Sequence, residues 1–286
     1  MRVRLLLVFL TLVVGFTTAH AKPARWETLP LPPAMPKPAS SGIVASKGAK
    51  IFYATHGKGD AVILLHGGMG NGDHFSAQVI ALRDTFKLIV IDTRGHGRSS
   101  LGKAKLSYHL MAADVLAVMD TLKLERAAIV GWSDGGAIGL DLAVLEPTRV
   151  SRLFIIGTNY DAHGSKPRRG KPPSTTFNQY TAKCRADHTR LGNTAKSFQA
   201  QITAMLPVWR NPGGFTKDQI RSIKAPTLVA LGDHDEIIEQ AQIEEMSKLI
   251  PKGQLAIFEN TSHFAMWQDP KAFNKVLLEF LTAKPE

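Results

Sequence analysis

The hexapeptide GWSDGG, residues 131–136, follows the apolar run at residues 126–130. A helical pattern comes next and stops at Pro147. A Gly-x-Ser-x-Gly motif is common by chance, but this strand-to-helix context lets the glycines form a strained turn that lifts the serine hydroxyl above a sheet. Ser133 is therefore a predicted nucleophile.

Short, continuous apolar runs occur on both sides of this motif. Strands that are covered on both faces have this pattern, as in a parallel sheet. The predicted strands are residues 61–65, 87–91, 126–130, 152–156, 227–231 and 254–258, after a hairpin formed by residues 42–46 and 50–55. Helical patterns fill the spacers at residues 107–122, 237–250 and 272–281. This alternation predicts an α/β fold with a mostly parallel, doubly wound sheet.

One long interval breaks the alternation of strands and helices. The residues between Asn159 and Ala225 contain polar helical stretches and no convincing strand. A structureless loop of that length is improbable in a compact domain. We therefore expect an inserted helical cap at about residues 160–222, over the carboxyl end of the sheet.

The N-terminal residues have the composition of an export signal. Basic Arg2 and Arg4 precede an apolar run at residues 5–16, and small Ala19 and Ala21 occupy the positions that a signal peptidase reads. Residues 1–21 are thus a predicted signal peptide, and the protein is expected to be periplasmic or secreted. The run is too short for a spanning helix, so no transmembrane segment is expected after cleavage.

A proline-rich stretch follows the predicted cleavage site. Residues 22–41 contain six prolines, which exclude a helix or a central strand and favour an extended linker. The folded domain is then expected at residues 42–286.

Charge and cysteine content restrict the classes of partner. The formal net charge is +11, but the basic cluster at residues 166–171 lacks interleaved aromatic residues, so no nucleic-acid partner is predicted. Cys184 is the only cysteine, which excludes an intramolecular disulfide and a cysteine-rich zinc site. His66, Asp73 and His74 match no recognised set of ligands, so no metal is predicted.

A serine nucleophile needs a base, and the base needs an orienting acid. His263 follows the last predicted strand, and Asp235 follows the strand before it. The order Ser133, Asp235, His263 is the order expected of one hydrolase architecture. Asp233 is an alternative acid in the same loop.

Backbone amides that could stabilise an oxyanion occur at two places. The glycine-rich residues 66–70 follow a predicted strand, and Asp134 stands at the N-terminus of the helix after the serine. Two such amides form the usual oxyanion hole of acyl-transfer enzymes.

These motifs together resemble the α/β-hydrolase superfamily over nearly all of residues 42–281. Residues 92–99 are similar to the family's D-x-R-G-x-G-x-S turn. The resemblance implies that Ser133, Asp235 and His263 are nucleophile, acid and base, and that the amides of Gly68 and Asp134 form the oxyanion hole. No cofactor is implied. His66 and His96 are interpreted as structural turn residues.

Asp134 directly after the nucleophile is unusual enough to need an explanation. A carboxylate there complements the helix dipole, but near an oxyanion it should point to water or meet a cation. The elbow resembles that of the biphenyl hydrolase-like (valacyclovir hydrolase) enzymes, which implies that Asp134 could bind a substrate ammonium group.

The predicted function is a serine hydrolase, a carboxylesterase acting on a small-molecule ester. Carbon–carbon bond hydrolysis, lactone opening, aminoacyl-ester hydrolysis and cofactor-free perhydrolysis remain alternatives within the superfamily. An envelope binding protein on a hydrolase scaffold is the non-enzyme alternative. The residues that either line the substrate pocket or belong to the core are Met69, Trp132, Phe177, Met205 and Trp209. The sequence makes no prediction of oligomeric state.

Overall fold

The computed structural model describes residues 22–167, 170, 172–210 and 214–284, so the predicted signal peptide lies outside the described residues. The described residues contain eight strands: β1 (Ser40–Ser46), β2 (Ala49–His56), β3 (Ala61–Leu65), β4 (Lys87–Ile91), β5 (Ala127–Trp132), β6 (Val150–Ile156), β7 (Thr227–Gly232) and β8 (Gly253–Phe258). They form one sheet in the order β1-β2-β4-β3-β5-β6-β7-β8. The predicted α/β class with a doubly wound sheet is confirmed.

The sheet is parallel except at one edge. The β1–β2 and β2–β4 pairs are antiparallel, and the remaining pairs are parallel. Along β3, Ile63 and Leu65 face one apolar cluster while Val62 and Leu64 face the other. Both faces of the central strands are therefore buried, which explains why their apolar runs are continuous rather than alternating.

Helices cover both faces of the sheet. They are α1 (Ser76–Leu82), α2 (Tyr108–Thr121), α3 (Asp134–Leu145), α4 (Thr175–Arg190), α5 (Ala195–Arg210), α6 (Lys217–Arg221), α7 (Gln240–Leu249), α8 (Ala265–Gln268) and α9 (Pro270–Thr282). Side chains of α2, α3 and α7 belong to one apolar cluster, and those of α1 and α9 belong to the other. The Ser107 hydroxyl accepts the amide of Leu110 and caps α2, as its position before the helix predicts. Helix α1 has no counterpart among the helices predicted from the sequence.

The interval expected to be a cap contains α4, α5 and α6. Its described residues include no strand, and a single isolated bridge joins Ser165 to Ile238. Helices α4 and α5 lie over the carboxyl edge of the sheet, because Tyr180 donates to the Gly68 carbonyl and Asn193 donates to the Gly97 carbonyl. Ile220 of α6 is instead fully buried in the main core, so the covering pair is α4 and α5.

Polar and charged side chains fix α4 to the body of the domain. The buried Asp187 carboxylate accepts from His74 at 3.1 Å, and the half-exposed Arg190 bonds Asp73 at 2.8 Å. Lys183 of the same helix also donates to Asp187 at 2.9 Å, so this buried carboxylate is paired, as a buried charge must be for the arrangement to be stable. The cap is therefore held by specific bonds as well as by apolar packing.

The proline-rich residues form a mostly extended segment that is bonded to the domain rather than free, but the expected absence of helix is wrong at Arg25–Glu27, which form one short 3₁₀ turn. We call residues 24–39 the N-terminal strap. The Ser76 hydroxyl donates to the Pro33 carbonyl at 2.6 Å, and Leu29 and Met35 pack against the core. Among the described residues, no helix is long and apolar enough to cross a membrane.

Candidate active site

Ser133 stands at a strained turn between the end of β5 and the start of α3. Its φ of 54° and ψ of −118° are rare for a residue with a side chain. A Cβ on Gly131 would lie 2.3 Å from the Gly135 carbonyl oxygen, and one on Gly135 would lie 2.0 Å from the Leu65 carbonyl oxygen. Only glycine fits at both positions, so the glycines of the motif make this turn possible.

The loops after β7 and β8 bring Asp235 and His263 together. Nδ1 of His263 lies 2.8 Å from Oδ2 of Asp235, and both side chains are buried. The other carboxylate oxygen accepts the amides of Ile237 and Ile238. Asp235 therefore holds the imidazole with its proton on Nδ1, which leaves Nε2 able to accept a proton.

The pKa of His263 is raised above its ordinary value of 6.5. Burial alone would lower this pKa, but the negative charge of Asp235 and its hydrogen bond to the ring outweigh burial, with help from Glu236 and Asp134. Such a histidine is well suited to take a proton during a reaction.

Asp233, the alternative acid, does not contact the His263 ring. Its carboxylate accepts the backbone amides of Asn260 and Thr261 at 2.9 and 3.0 Å. The structure therefore places Asp235 on the imidazole and gives Asp233 a supporting position behind the same loop.

The backbone amides of the loop that carries His263 are bonded to side chains. Each amide from residue 260 to residue 263 donates to a side chain; the acceptors are Asp233 for the first two, Gln268 for the third and Glu236 for the fourth. Gln268 and Glu236 belong to no sequence motif, so neither was predicted to support the site. The carbonyl of His263 accepts a hydrogen bond from Nε1 of Trp132, the last residue of β5, at 2.9 Å.

The residues proposed to line a pocket fall into two groups. Trp132 and Met205 are at most 1% exposed and belong to the core, so neither borders open space. Met69, in a left-handed turn with φ of 65°, and Trp209 of α5 are half-buried at the site. Phe177 is also half-buried. Trp132 supports His263 from within the core, which differs from the pocket position considered for it.

The two proposed oxyanion donors lie on adjacent loops. A Cβ on Gly68 would lie 2.6 Å from the Asp134 carboxylate and 3.0 Å from the Trp209 ring, so the loop after β3 presses against the elbow. Tyr180 holds the Gly68 carbonyl at 2.7 Å. Because α3 begins at Asp134, the amide of that residue has no acceptor within the helix.

The Asp134 carboxylate is held by two neutral donors. Tyr108 donates to Oδ1 and Trp209 donates to Oδ2, each at 2.8 Å. Burial raises the pKa of Asp134, and the two hydrogen bonds oppose that rise. The sequence suggested water or a cation as the partner, whereas an α2 phenol and an α5 indole provide the bonds.

His66 and His96 have structural partners. His66 donates from Nδ1 to the Gly67 carbonyl and accepts the Thr93 amide at Nε2, and burial holds its pKa well below 6.5. His96 bonds the Arg94 carbonyl, and burial lowers its pKa to about 4. Both therefore brace the turns beside the site.

Of the residues considered as metal ligands, Asp73 is engaged by Arg98 and Arg190, and His74 by Asp187. Among residues 22–167, 170, 172–210 and 214–284, no group of three or more ligating side chains could hold a metal ion. Cys184 is buried, and burial raises the pKa of its thiol, which makes it a poor nucleophile.

Comparison with known sequences finds relatives along most of the chain. The family model described as alpha/beta hydrolase fold matches residues 60–191. The AB hydrolase superfamily protein YisY of Bacillus subtilis is 28% identical over 80% of this chain and 94% of its own length. A putative carbamate hydrolase, RutD, of Rhizobium rhizogenes is 25% identical over 79% of this chain and 94% of its own length.

Solved structures resemble the protein over a similar span. An N-acyl homoserine lactone degrading enzyme, Est816, is 30% identical with a TM-score of 0.70, covering 84% of this chain and 100% of its own. A meta-cleavage product hydrolase from Pseudomonas fluorescens IP01 is 22% identical with a TM-score of 0.72, covering 84% of this chain and 97% of its own. At that lower identity the likeness concerns the fold alone.

Proposed function

Since the chain belongs to the alpha/beta hydrolase fold family and is a hydrolase, we propose that it is a serine hydrolase that cleaves carboxylic esters. The observation that carries this proposal is the buried hydrogen bond between Asp235 and His263 at the sheet edge where Ser133 follows β5. This set of residue types performs acyl transfer on several unrelated folds.

The proposed reaction proceeds through an acyl-enzyme. Ser133 Oγ attacks the ester carbonyl carbon while Nε2 of His263 takes the hydroxyl proton, and Asp235 stabilises the imidazolium that forms. The amides of Gly68 and Asp134 donate to the negative oxygen of the tetrahedral intermediate. The carbon–oxygen bond then breaks, and the alcohol leaves with the proton from His263. A water molecule, deprotonated by His263, hydrolyses the acyl-enzyme by the same steps.

Lactones are the second substrate class that an observation favours. A lactone is a cyclic ester, so the same attack opens its ring without any further catalytic group. The relative at 30% identity is an N-acyl homoserine lactone degrading enzyme. The proposal therefore covers open-chain and cyclic esters, and a panel of both would define the preferred acyl group.

The test of the serine assignment is labelling by a fluorophosphonate, which forms a covalent bond with an activated serine. We expect stoichiometric labelling of the wild-type protein at Ser133 and none in Ser133→Ala. An unlabelled wild-type protein that binds esters without cleaving them would instead favour the binding-protein alternative.

We further propose that the enzyme is exported to the periplasm or the exterior. The support is the composition of residues 1–21, with a basic start, an apolar run and small residues before position 22. Fractionation of cells that express the full chain, with N-terminal sequencing of the product, tests this. Export requires a product that begins at Lys22 outside the cytoplasm; an intact chain in the cytoplasm contradicts it.

A further inference from the structure

One side chain joins the N-terminal strap to the residue before His263. Nε2 of Gln268 donates to the carbonyls of Trp26 and Thr28, at 3.2 and 2.7 Å. Oε1 of the same amide accepts the backbone N–H of Ser262 at 2.7 Å. Gln268 is only 8% exposed, so these bonds are largely shielded from water. A single side chain, Gln268, therefore connects the strap to the residue next to the proposed base.

The strap also contacts the loop that carries Asp235. The Trp26 ring stacks on the His234 ring, with centroids 4.7 Å apart and planes 12° apart. Nδ1 of His234 lies 2.8 Å from Oδ1 of Asp233, the carboxylate that holds the loop of His263 from behind. The strap therefore contacts the loop of Asp235 directly, through His234, and the loop of His263 through Gln268.

An ion pair between Arg25 and Asp269 fixes the strap at this position. Asp269 also accepts the Ala272 amide and so caps α9, the long helix after the His263 loop. The contact is therefore made to a rigid element, which limits the movement of the strap relative to the loop.

The loops of the pair lack solid packing on the side that the strap covers. A cavity of about 340 Å³ separates the strap from the start of α4, and its lining includes Trp26, Glu236 and Ser262. The neighbouring Asn260 has a φ of 55°, so the loop backbone is itself strained. A strained loop beside a cavity relies on side-chain bonds for its position. The strap holds Gln268, which supplies one of these bonds, and stacks on His234, which contacts Asp233, the source of two more.

We propose that the N-terminal strap positions His263 for catalysis, acting through Gln268 and His234. This rests on the proposed function, because the reaction is what requires His263 to be placed accurately. Gln268 and Trp26 are positioning residues: they touch the loops rather than the reacting atoms. Small displacements of such a group are costly, since an error of about 1 Å can lower turnover by about a hundredfold.

Two variants weaken the contacts of the strap while leaving the other side-chain bonds to the His263 loop in place. Gln268→Glu keeps an acceptor for the Ser262 amide but replaces the donor to the strap carbonyls with an oxygen that repels them. Trp26→Ala removes the stacking on His234 and leaves the loop bonds of Gln268 intact. Leu31→Ala is the matched control, because Leu31 lies in the same strap and is 70% exposed.

The readout is kcat for a p-nitrophenyl ester, with active sites counted by fluorophosphonate titration so that unfolded protein does not contribute. We expect kcat to fall about 10- to 100-fold in Gln268→Glu and less in Trp26→Ala, with KM within about twofold of wild type and no change in Leu31→Ala. A second readout that needs no activity is the low-field NMR resonance of the His263 Nδ1 proton, which should shift or broaden in both variants.

Wild-type kcat per titrated site and an unchanged resonance in both variants would overturn the proposal, even if their thermal midpoints fall. That result would leave the strap a purely stabilising segment. If the wild-type protein hydrolyses no ester, the proposed function fails, and the proton resonance alone decides whether the strap positions His263.

Discussion

Asp235 and His263 share a 2.8 Å hydrogen bond between two loops at the carboxyl edge of the sheet, and the two side chains are buried. The bond selects the imidazole tautomer that leaves Nε2 free as a base. It also raises the pKa of His263 against the opposing effect of burial.

Asp235→Asn should lower kcat for an ester by about 10⁴, because an asparagine that donates to Nδ1 stabilises the wrong tautomer. Asp233→Asn is the matched control and should cost far less in kcat, since Asp233 bonds backbone amides rather than the ring. The measurement is steady-state hydrolysis of a p-nitrophenyl ester with both purified variants. Equal losses in the two variants would mean that the acid has been assigned to the wrong residue.

The activity should depend on pH through His263. A base works only when unprotonated, so kcat/KM should fall on the acidic side, with a midpoint above 6.5 because the folded pKa is raised. Protonation has the opposite effect on stability. The raised pKa contributes stability that is fully present below the unfolded pKa of 6.5 and is lost as pH rises through the folded pKa.

A pH profile of kcat/KM in wild type and Asp235→Asn tests this pH dependence. The acidic limb should move to lower pH in the variant, because the negative charge that raises the pKa is gone. A limb at the same pH in both proteins would show that a group other than His263 controls the rate.

Gly135→Ala should prevent formation of the elbow. Its Cβ would lie 2.0 Å from the Leu65 carbonyl oxygen, and the nearest atoms all belong to the backbone of Leu65 and His66, which leaves little room to adjust. We expect the free energy of unfolding to fall by at least about 3 kcal/mol, or the protein not to fold. Urea unfolding measures this, with Leu145→Ala at an exposed position of the same helix as the control. A folded Gly135→Ala protein of wild-type stability would contradict the described turn.

Asp134 should confer no strong preference for cationic esters. Tyr108 and Trp209 already donate to its two oxygens, so both are engaged before an ammonium group could approach. An α-amino-acid ester and its des-amino analogue should therefore be hydrolysed with kcat/KM values within about threefold, in wild type and in Asp134→Asn. A large preference for the amine that Asp134→Asn abolishes would instead make this residue a specificity determinant.

Much of the fold could be predicted because local sequence determines it. The six core strands were found within two residues of their bounds, since runs such as that at residues 61–65 are apolar on both faces. The capping Ser107 marked the start of α2. Helix α1 was missed because its short sequence carries no cap and little amphipathic pattern.

The candidate site could be predicted only where chain order is informative. Order and motif predicted that Asp235 and His263 would meet, and their side chains do share a hydrogen bond; their roles, and that of Ser133, stay predictions. Gln268 and the two donors to Asp134 could not be foreseen. Their contacts join residues far apart in sequence, such as Trp209 to Asp134 and Gln268 to Trp26, and depend on how the cap and the strap pack.

If Ser133 is the nucleophile, Ser133→Ala should abolish turnover of a p-nitrophenyl ester. We expect kcat to fall by about 10⁶ while circular dichroism and the thermal midpoint stay close to wild type. A folded Ser133→Ala protein that keeps more than about a tenth of the wild-type kcat would contradict it.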